Sequence, residues 1–230
     1  VALSFSTPTG PLGDVVVELV TGANEQAVAT FAGLAAGTLP AQCDRSAGQG
    51  ALLEKERLEG LRALESCLEA EGRPLSYEGS TVWRVVRDQR IDAGALPSAY
   101  NLRLPPDVQG DNAGGSLTHN CPGVVSLRRG TAANGCFVIA PAANPALDKD
   151  HVVVGRVVAG LDVVAALNDL PTIQSGNGVG YQALAGDIAG RARPAKGCRY
   201  GSSELYCTAG KPLRKVTMRA RVTDSLEGAA

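Results

Sequence analysis

Apolar and polar residues alternate, or apolar β-branched runs dominate, in a series of short segments along the chain. Leu3 to Phe5 and Asp14 to Val20 read as two strands joined by a turn at Pro8-Thr9-Gly10-Pro11. The run Val15-Val16-Val17-Glu18-Leu19-Val20 suits a strand buried on at least one face. The spacing then changes to that of a helix, with Val28, Phe31 and Leu34 or Ala35 on one side, Asn24 placed to cap it and Gly37 to end it. Strand patterns return at Thr81 to Val86, Gly123 to Leu127, Cys136 to Ala140 and Val152 to Val158. Gly160 to Leu167 predicts a second amphipathic helix. Val216, Met218, Ala220 and Val222 alternate with polar residues in a closing strand. Many short strands with two main helices predict a closed β-barrel capped by helices.

Two stretches differ in character. Between residues 38 and 75, Leu58, Leu61, Leu64, Cys67 and Leu68 form one stripe in a segment rich in Glu, Arg and Lys. It predicts an amphipathic helix, divided at Gly60, that docks on the barrel or on a partner. The Gly- and Ala-rich stretch from Pro171 to Gly210 predicts a loop with a short helix near Tyr181 to Ile188. Gly114-Gly115 and Gly176-Asn177-Gly178 read as turns.

The chain has 230 residues, 44% of them hydrophobic, which a single β-barrel domain accommodates. Its net charge of −1 argues against nucleic acid or an anionic membrane surface as partner. No apolar run approaches the roughly 20 residues of a spanning helix. The chain opens directly on a strand pattern, as a mature or trimmed protein would, with no targeting pattern before it. The six cysteines contain no CxxC pair. Cys198 with Cys207, Cys43 with Cys67, and Cys121 with Cys136 fit local disulfides or buried thiols equally. With two histidines, no GxSxG elbow and no Gly-rich phosphate loop after a strand, hydrolytic and redox chemistry find no support. No cofactor or metal is implied.

Five segments, in order, resemble the cyclophilin family of peptidyl-prolyl isomerases. They are Gly10-Pro11-Leu12-Gly13-Asp14 with Val15 to Leu19, the helix bearing Phe31 and Leu34, and Tyr77-Glu78-Gly79-Ser80-Thr81-Val82-Trp83-Arg84-Val85-Val86. Cys121-Pro122-Gly123-Val124-Val125-Ser126-Leu127 and Leu147-Asp148-Lys149-Asp150-His151-Val152-Val153-Val154-Gly155-Arg156-Val157 follow. The resemblance implies a mainly β fold, a closed antiparallel eight-stranded barrel with two capping helices. It implies one domain over residues 1–230, with a helical insertion at about 38–75 and a C-terminal extension at about 171–210. It also implies a protein or proline-containing peptide as partner. Leu170-Pro171-Thr172-Ile173, Gly186-Asp187, Arg191-Ala192 and Lys211-Pro212-Leu213-Arg214-Lys215-Val216 are similar to the tail of plant and algal chloroplast cyclophilins. That likeness implies the thylakoid lumen and a photosynthetic membrane complex.

The family's chemistry is rotation about an X-Pro bond, whose barrier is about 20 kcal/mol. An arginine donates a hydrogen bond to the proline nitrogen in the twisted state, apolar side chains hold the ring, and polar ones clamp the peptide. Arg84 stands at the arginine's position, and Leu147 and His151 fall at pocket positions. His119 matches no role and reads as a loop residue. The remaining positions depart. Gln89 replaces the floor phenylalanine, Arg90 the methionine and Asp92 the glutamine that bonds the substrate backbone. Arg129, beside Arg128 in a loop about two residues shorter, replaces an asparagine, Val138 a phenylalanine and Ala146 a tryptophan. Arg90 and Asp92 are expected to pair with each other or with Arg84. The pocket is therefore expected to be eroded and turnover weak or lost, leaving a protein-binding assembly factor or accessory subunit. An active isomerase that assists folding is the alternative.

Overall fold

The computed structural model describes residues 1–21, 24–40, 42–43, 45, 53–69, 72–95, 103–104, 117–129, 135–172 and 210–223. The Cys198/Cys207 pair, the helix expected near Tyr181 to Ile188 and the turns at Gly114-Gly115 and Gly176-Asn177-Gly178 lie outside them.

Thirteen strands occur in the described residues. They are β1 (Ala2–Thr7), β2 (Gly10–Leu19), β3 (Leu39–Pro40), β4 (Gln42–Cys43), β5 (Pro74–Leu75), β6 (Thr81–Val82), β7 (Arg84–Val86), β8 (Arg90–Ala93), β9 (Arg103–Leu104), β10 (Val124–Arg128), β11 (Phe137–Ile139), β12 (His151–Ala159) and β13 (Val216–Arg221). Nine of them form one antiparallel sheet in the order β6-β13-β1-β2-β12-β10-β11-β8-β7. Its two edges, β6 and β7, are successive pieces of one chain segment separated by Trp83. β6 pairs with β13 and β7 with β8, while the Trp83 N–H donates to the Asp92 carbonyl at 3.0 Å. Counted as one bent strand, they close an eight-stranded barrel, and neither edge is left to recruit another chain.

Strand alternation sends every second side chain inward. Leu3, Phe5, Val15, Val17, Val85, Ile91, Val125, Leu127, Phe137, Ile139, Val152, Val154, Val216 and Met218 share one buried core. Helix α1 (Glu25–Ala36) begins as expected, with Asn24 Oδ1 accepting from the Ala27 N–H at 3.0 Å. It ends on Gly37 in the left-handed conformation. It leaves the far end of β2 and buries Ala27, Phe31, Leu34 and Ala35. Helix α3 (Leu161–Asn168) starts where β12 meets the near end of β2, with Val163 against Gly13, and buries Val163, Val164 and Leu167. The two helices thus close opposite ends. Phe31, Tyr77 and Phe137 form an aromatic trio with centroids 5.2–5.7 Å apart, and the Tyr77 hydroxyl donates to the Gly135 carbonyl at 2.6 Å.

The stretch from 38 to 75 departs from expectation. Its ends are pinned together by the β3–β5 pair, Leu39 opposite Leu75 and Pro40 opposite Pro74. Helix α2 (Glu54–Leu68) runs unbroken through Gly60 rather than being divided there. It does not dock its stripe: Leu58, Leu61 and Leu68 remain 42, 43 and 38% exposed, and among its described residues only Cys67 is buried. A disulfide from Cys67 to Cys43 holds its C-terminal end to β4, so a covalent bond does what apolar burial was expected to do. Cys121 and Cys136 are free thiols.

Gly94 follows β8 with φ +79°, and a Cβ there would lie 2.7 Å from both the Phe137 and the Tyr77 rings. Gly79 has a similar φ of +74° but open space around it. Gly94→Ala is expected to cost about 2–4 kcal/mol in chemical denaturation, and Gly79→Ala about 1 kcal/mol, backbone strain alone. Equal costs would mean that the aromatic trio yields freely.

Candidate functional site

The outward face of the same strands carries the candidate chemistry. In register across β7, β8, β11, β10 and β12 run Arg84, Asp92, Val138, Ser126 and Val153. Since the inward neighbours of these residues are core residues, the whole row projects from the barrel's outer surface. Arg90 precedes Asp92 by two residues, Cys136 precedes Val138 by two, and Arg128 stands opposite His151 in the β10–β12 ladder. The row rests on a second apolar cluster, Val124, Val138, Ala140, Leu147 and Val153, with Leu117, Cys121 and Val20 packed against it.

Arg84, Arg90 and Asp92 form the ionic centre. Asp92 Oδ2 lies 3.2 Å from Arg90 Nε and 3.9 Å from Arg84 Nε. The Asp92 side chain is 4% exposed, against 22% for Arg84 and 18% for Arg90. A carboxylate this deeply buried holds its charge through nearby cations, so the two arginines and the aspartate act as one unit. Val138 and Leu147 are 3 and 5% exposed, so the apolar floor is present but shows little surface.

His151, at the start of β12, is also buried. Burial first, then the positive charge of Arg90 and the His119 ring, pull its pKa from 6.5 down to about 4. It is an uncharged imidazole at neutral pH. The Cys136 thiol is pushed up to about 12, chiefly by burial and secondly by the Asp92 charge, although the neighbouring Trp83 indole and the charge of Arg128 act the other way. It is a packed thiol rather than a nucleophile.

Two predicted site residues do not join this group. Gln89 lies exposed in the β7–β8 turn, where its backbone carbonyl accepts from Asn144 Nδ2 at 3.2 Å. Arg129 folds over the adjoining turn: its N–H donates to the Asp150 carbonyl at 2.9 Å and Nη1 to the Lys149 carbonyl at 2.7 Å. Its guanidinium therefore closes the 3-10 turn (Pro145–Lys149) that carries Leu147.

His119 is not the unassigned loop residue expected. It is fully buried, with Nδ1 2.7 Å from Asp148 Oδ1 and Nε2 2.9 Å from Ser126 Oγ. Its backbone N–H donates to the same carboxylate oxygen at 3.2 Å, and its carbonyl accepts from the Asn144 N–H at 2.7 Å. Aspartate, histidine and serine stand in the relation of a hydrolytic triad. Both His119 and Ser126 have no solvent exposure, so no acyl group reaches the hydroxyl and the arrangement is a brace. It ties the row at Ser126 to the 3-10 turn. No spacing signal could have found it, because its members lie 7 and 29 positions from the histidine and meet only in the barrel.

The barrel and its end-capping helices agree with one comparison. The family model for cyclophilin type peptidyl-prolyl cis-trans isomerase/CLD matches residues 3–180. The chain belongs to the cyclophilin family. Among the described residues no group of three or more potential ligands could hold a metal, and no helix is long and apolar enough to cross a membrane.

The depressed pKa of His151 has a sign that titration checks. Below about 6.5 the unfolded state takes a proton that the folded state refuses until about pH 4. Stability from this residue is therefore complete above pH 6.5 and is lost as pH falls towards 4, on the order of 3 kcal/mol in all. Denaturant unfolding at pH 7.5 and 4.5 is expected to show a smaller loss in His151→Gln than in the parent. Equal losses would mean that His151 titrates normally.

Proposed function

We propose that this cyclophilin binds proline-containing chains with weak or lost turnover, and serves as an assembly factor or accessory subunit of a larger complex. The observation that carries this reading is the buried carboxylate of Asp92 within 3.9 Å of Arg84 and 3.2 Å of Arg90. Catalysis of prolyl rotation requires stronger binding of the twisted amide than of the planar one. Only then does its nitrogen own a lone pair, and the donor for it is Arg84. A guanidinium already attracted to Asp92 gains less from that lone pair, because the new hydrogen bond competes with an existing ion pair. Each 1.4 kcal/mol of transition-state stabilisation lost this way is a factor of ten in rate.

The ring subsite supports the same reading. A proline ring gains about 25 cal/mol for each Å² of apolar surface it covers. Val138 and Leu147 offer little such surface, and Arg90 stands where a flexible apolar side chain would have served. Leu58, Leu61 and Leu68 on α2 support a partner surface, since three leucines 38–43% exposed on one short helix exceed scattered surface apolarity.

We place the protein in the thylakoid lumen, with a photosynthetic membrane complex as partner. Support comes from the likeness of its C-terminal segments to chloroplast cyclophilins, and the Cys43–Cys67 disulfide fits an oxidising compartment. The alternative, an active foldase, draws on one observation: Arg84 is retained and still 22% exposed.

Isomerisation of a short Ala-Pro peptide, uncatalysed over tens to hundreds of seconds at 25 °C, separates the two. The expected result is little acceleration, with parent and Arg84→Ala alike within about twofold. Strong acceleration that Arg84→Ala abolishes would establish the foldase instead.

A further inference from the structure

Among the described residues, Phe5, Phe31, Tyr77 and Phe137 lie in the core, and Trp83 is the aromatic side chain that does not. It is none of the residues that stand for the family's ring contacts. Its place follows from the bend between β6 and β7. Val82 and Val85 are both core residues, so strict alternation is interrupted between them, and Trp83 and Arg84 face outward in succession. The Trp83 N–H, donating to the Asp92 carbonyl at 3.0 Å, fixes the residue beside β8.

The indole is oriented as well as placed. Its Nε1 is shut off from solvent and neighbours the thiol of Cys136, two positions before Val138 on β11. Trp83 as a whole is nonetheless only half-buried. With the polar N–H turned inward, what the side chain shows to solvent is hydrocarbon. The apolar residues of the neighbouring row show little, Val138 being 3% and Leu147 5% exposed. The apolar surface that a ligand meets next to Arg84 is therefore the indole.

We propose that Trp83 is the ring-binding contact of this site, with a proline ring stacking on the exposed part of the indole beside Arg84. This rests on the peptide-binding reading above and deepens it by naming the side chain that recognises proline. A proline ring is compact, apolar and already fixed in conformation, and aromatic surfaces are what proline-rich segments dock on. At the usual yield of buried apolar area, one ring's worth of contact accounts for about a tenfold gain in affinity.

Trp83 is the chain's one tryptophan, so its emission reports on this contact alone. The whole protein is titrated with Ala-Ala-Pro-Ala-Ala, and with Ala-Ala-Ala-Ala-Ala as control, by calorimetry and by tryptophan emission. The proline peptide is expected to bind, to shift the emission and to protect the indole from acrylamide quenching, and the control to do none of these. Trp83→Ala is expected to weaken binding about tenfold, and Trp83→Phe less than about threefold. The emission series on the parent needs neither variant to fold. Calorimetric binding that leaves emission and quenching unchanged would overturn the role of Trp83 and leave peptide binding standing. Equal affinity of the parent and a folded Trp83→Ala variant would do the same. Equal binding of the two peptides would overturn proline recognition by the indole. No calorimetric binding of either would overturn peptide binding itself, and this contact with it.

Discussion

A strand in a closed barrel has two faces with separate obligations. In β7, β8, β10, β11 and β12 the inner face supplies Val85, Ile91, Leu127, Phe137 and Val152 to a core sealed at both ends by helices. That commitment fixes the register, because a slip of one residue would turn each core residue outward. The outer face then holds its side chains in a fixed row regardless of their chemistry. Arg84, Asp92 and Val138 stand side by side because Val85, Ile91 and Phe137 are buried. The barrel can therefore be kept whole whatever chemistry its outer row carries.

The outer row is held together from below. Asp92 is too deeply buried to be charged alone, and Arg90 and Arg84 make its charge tolerable. His151 stays neutral under burial and the neighbouring guanidinium. The His119–Asp148–Ser126 brace ties strand β10 to the turn that carries Leu147, and Arg129 closes that turn from outside. Asp92, Asp148 and Arg129 therefore serve position, and among the described residues Arg84, Arg90 and Arg128 are the charged side chains of the row that keep some exposure.

Most of the barrel was legible in the sequence because it depends on local period and on short ordered segments. β1, β2, α1, β10, β11, β12, α3 and β13 lie where alternation or helical spacing predicts them. β8 escaped, since Arg90-Ile91-Asp92-Ala93 is short and half its residues are charged outward ones. The stripe on α2 misled for the opposite reason: its period is helical, but spacing cannot say whether a stripe finds a partner within its own chain. The positions of Arg84, Arg90 and Asp92 were readable from one segment, because β7, its turn and β8 are contiguous. The parts of the site built from distant segments, the His119 brace and the inward use of Arg129, had no local signature.

Restoring the apolar and amide chemistry tests most directly whether the Asp92 centre restrains Arg84. The measurement is isomerisation of an Ala-Pro peptide by the double variant Arg90→Met/Asp92→Gln beside the parent, both checked for folding. With the buried charge and its partner removed together, Arg84 is released to the proline nitrogen, and acceleration is expected to rise at least tenfold. A folded double variant no more active than the parent would contradict the claim, and would mean that the ion cluster does not restrain Arg84.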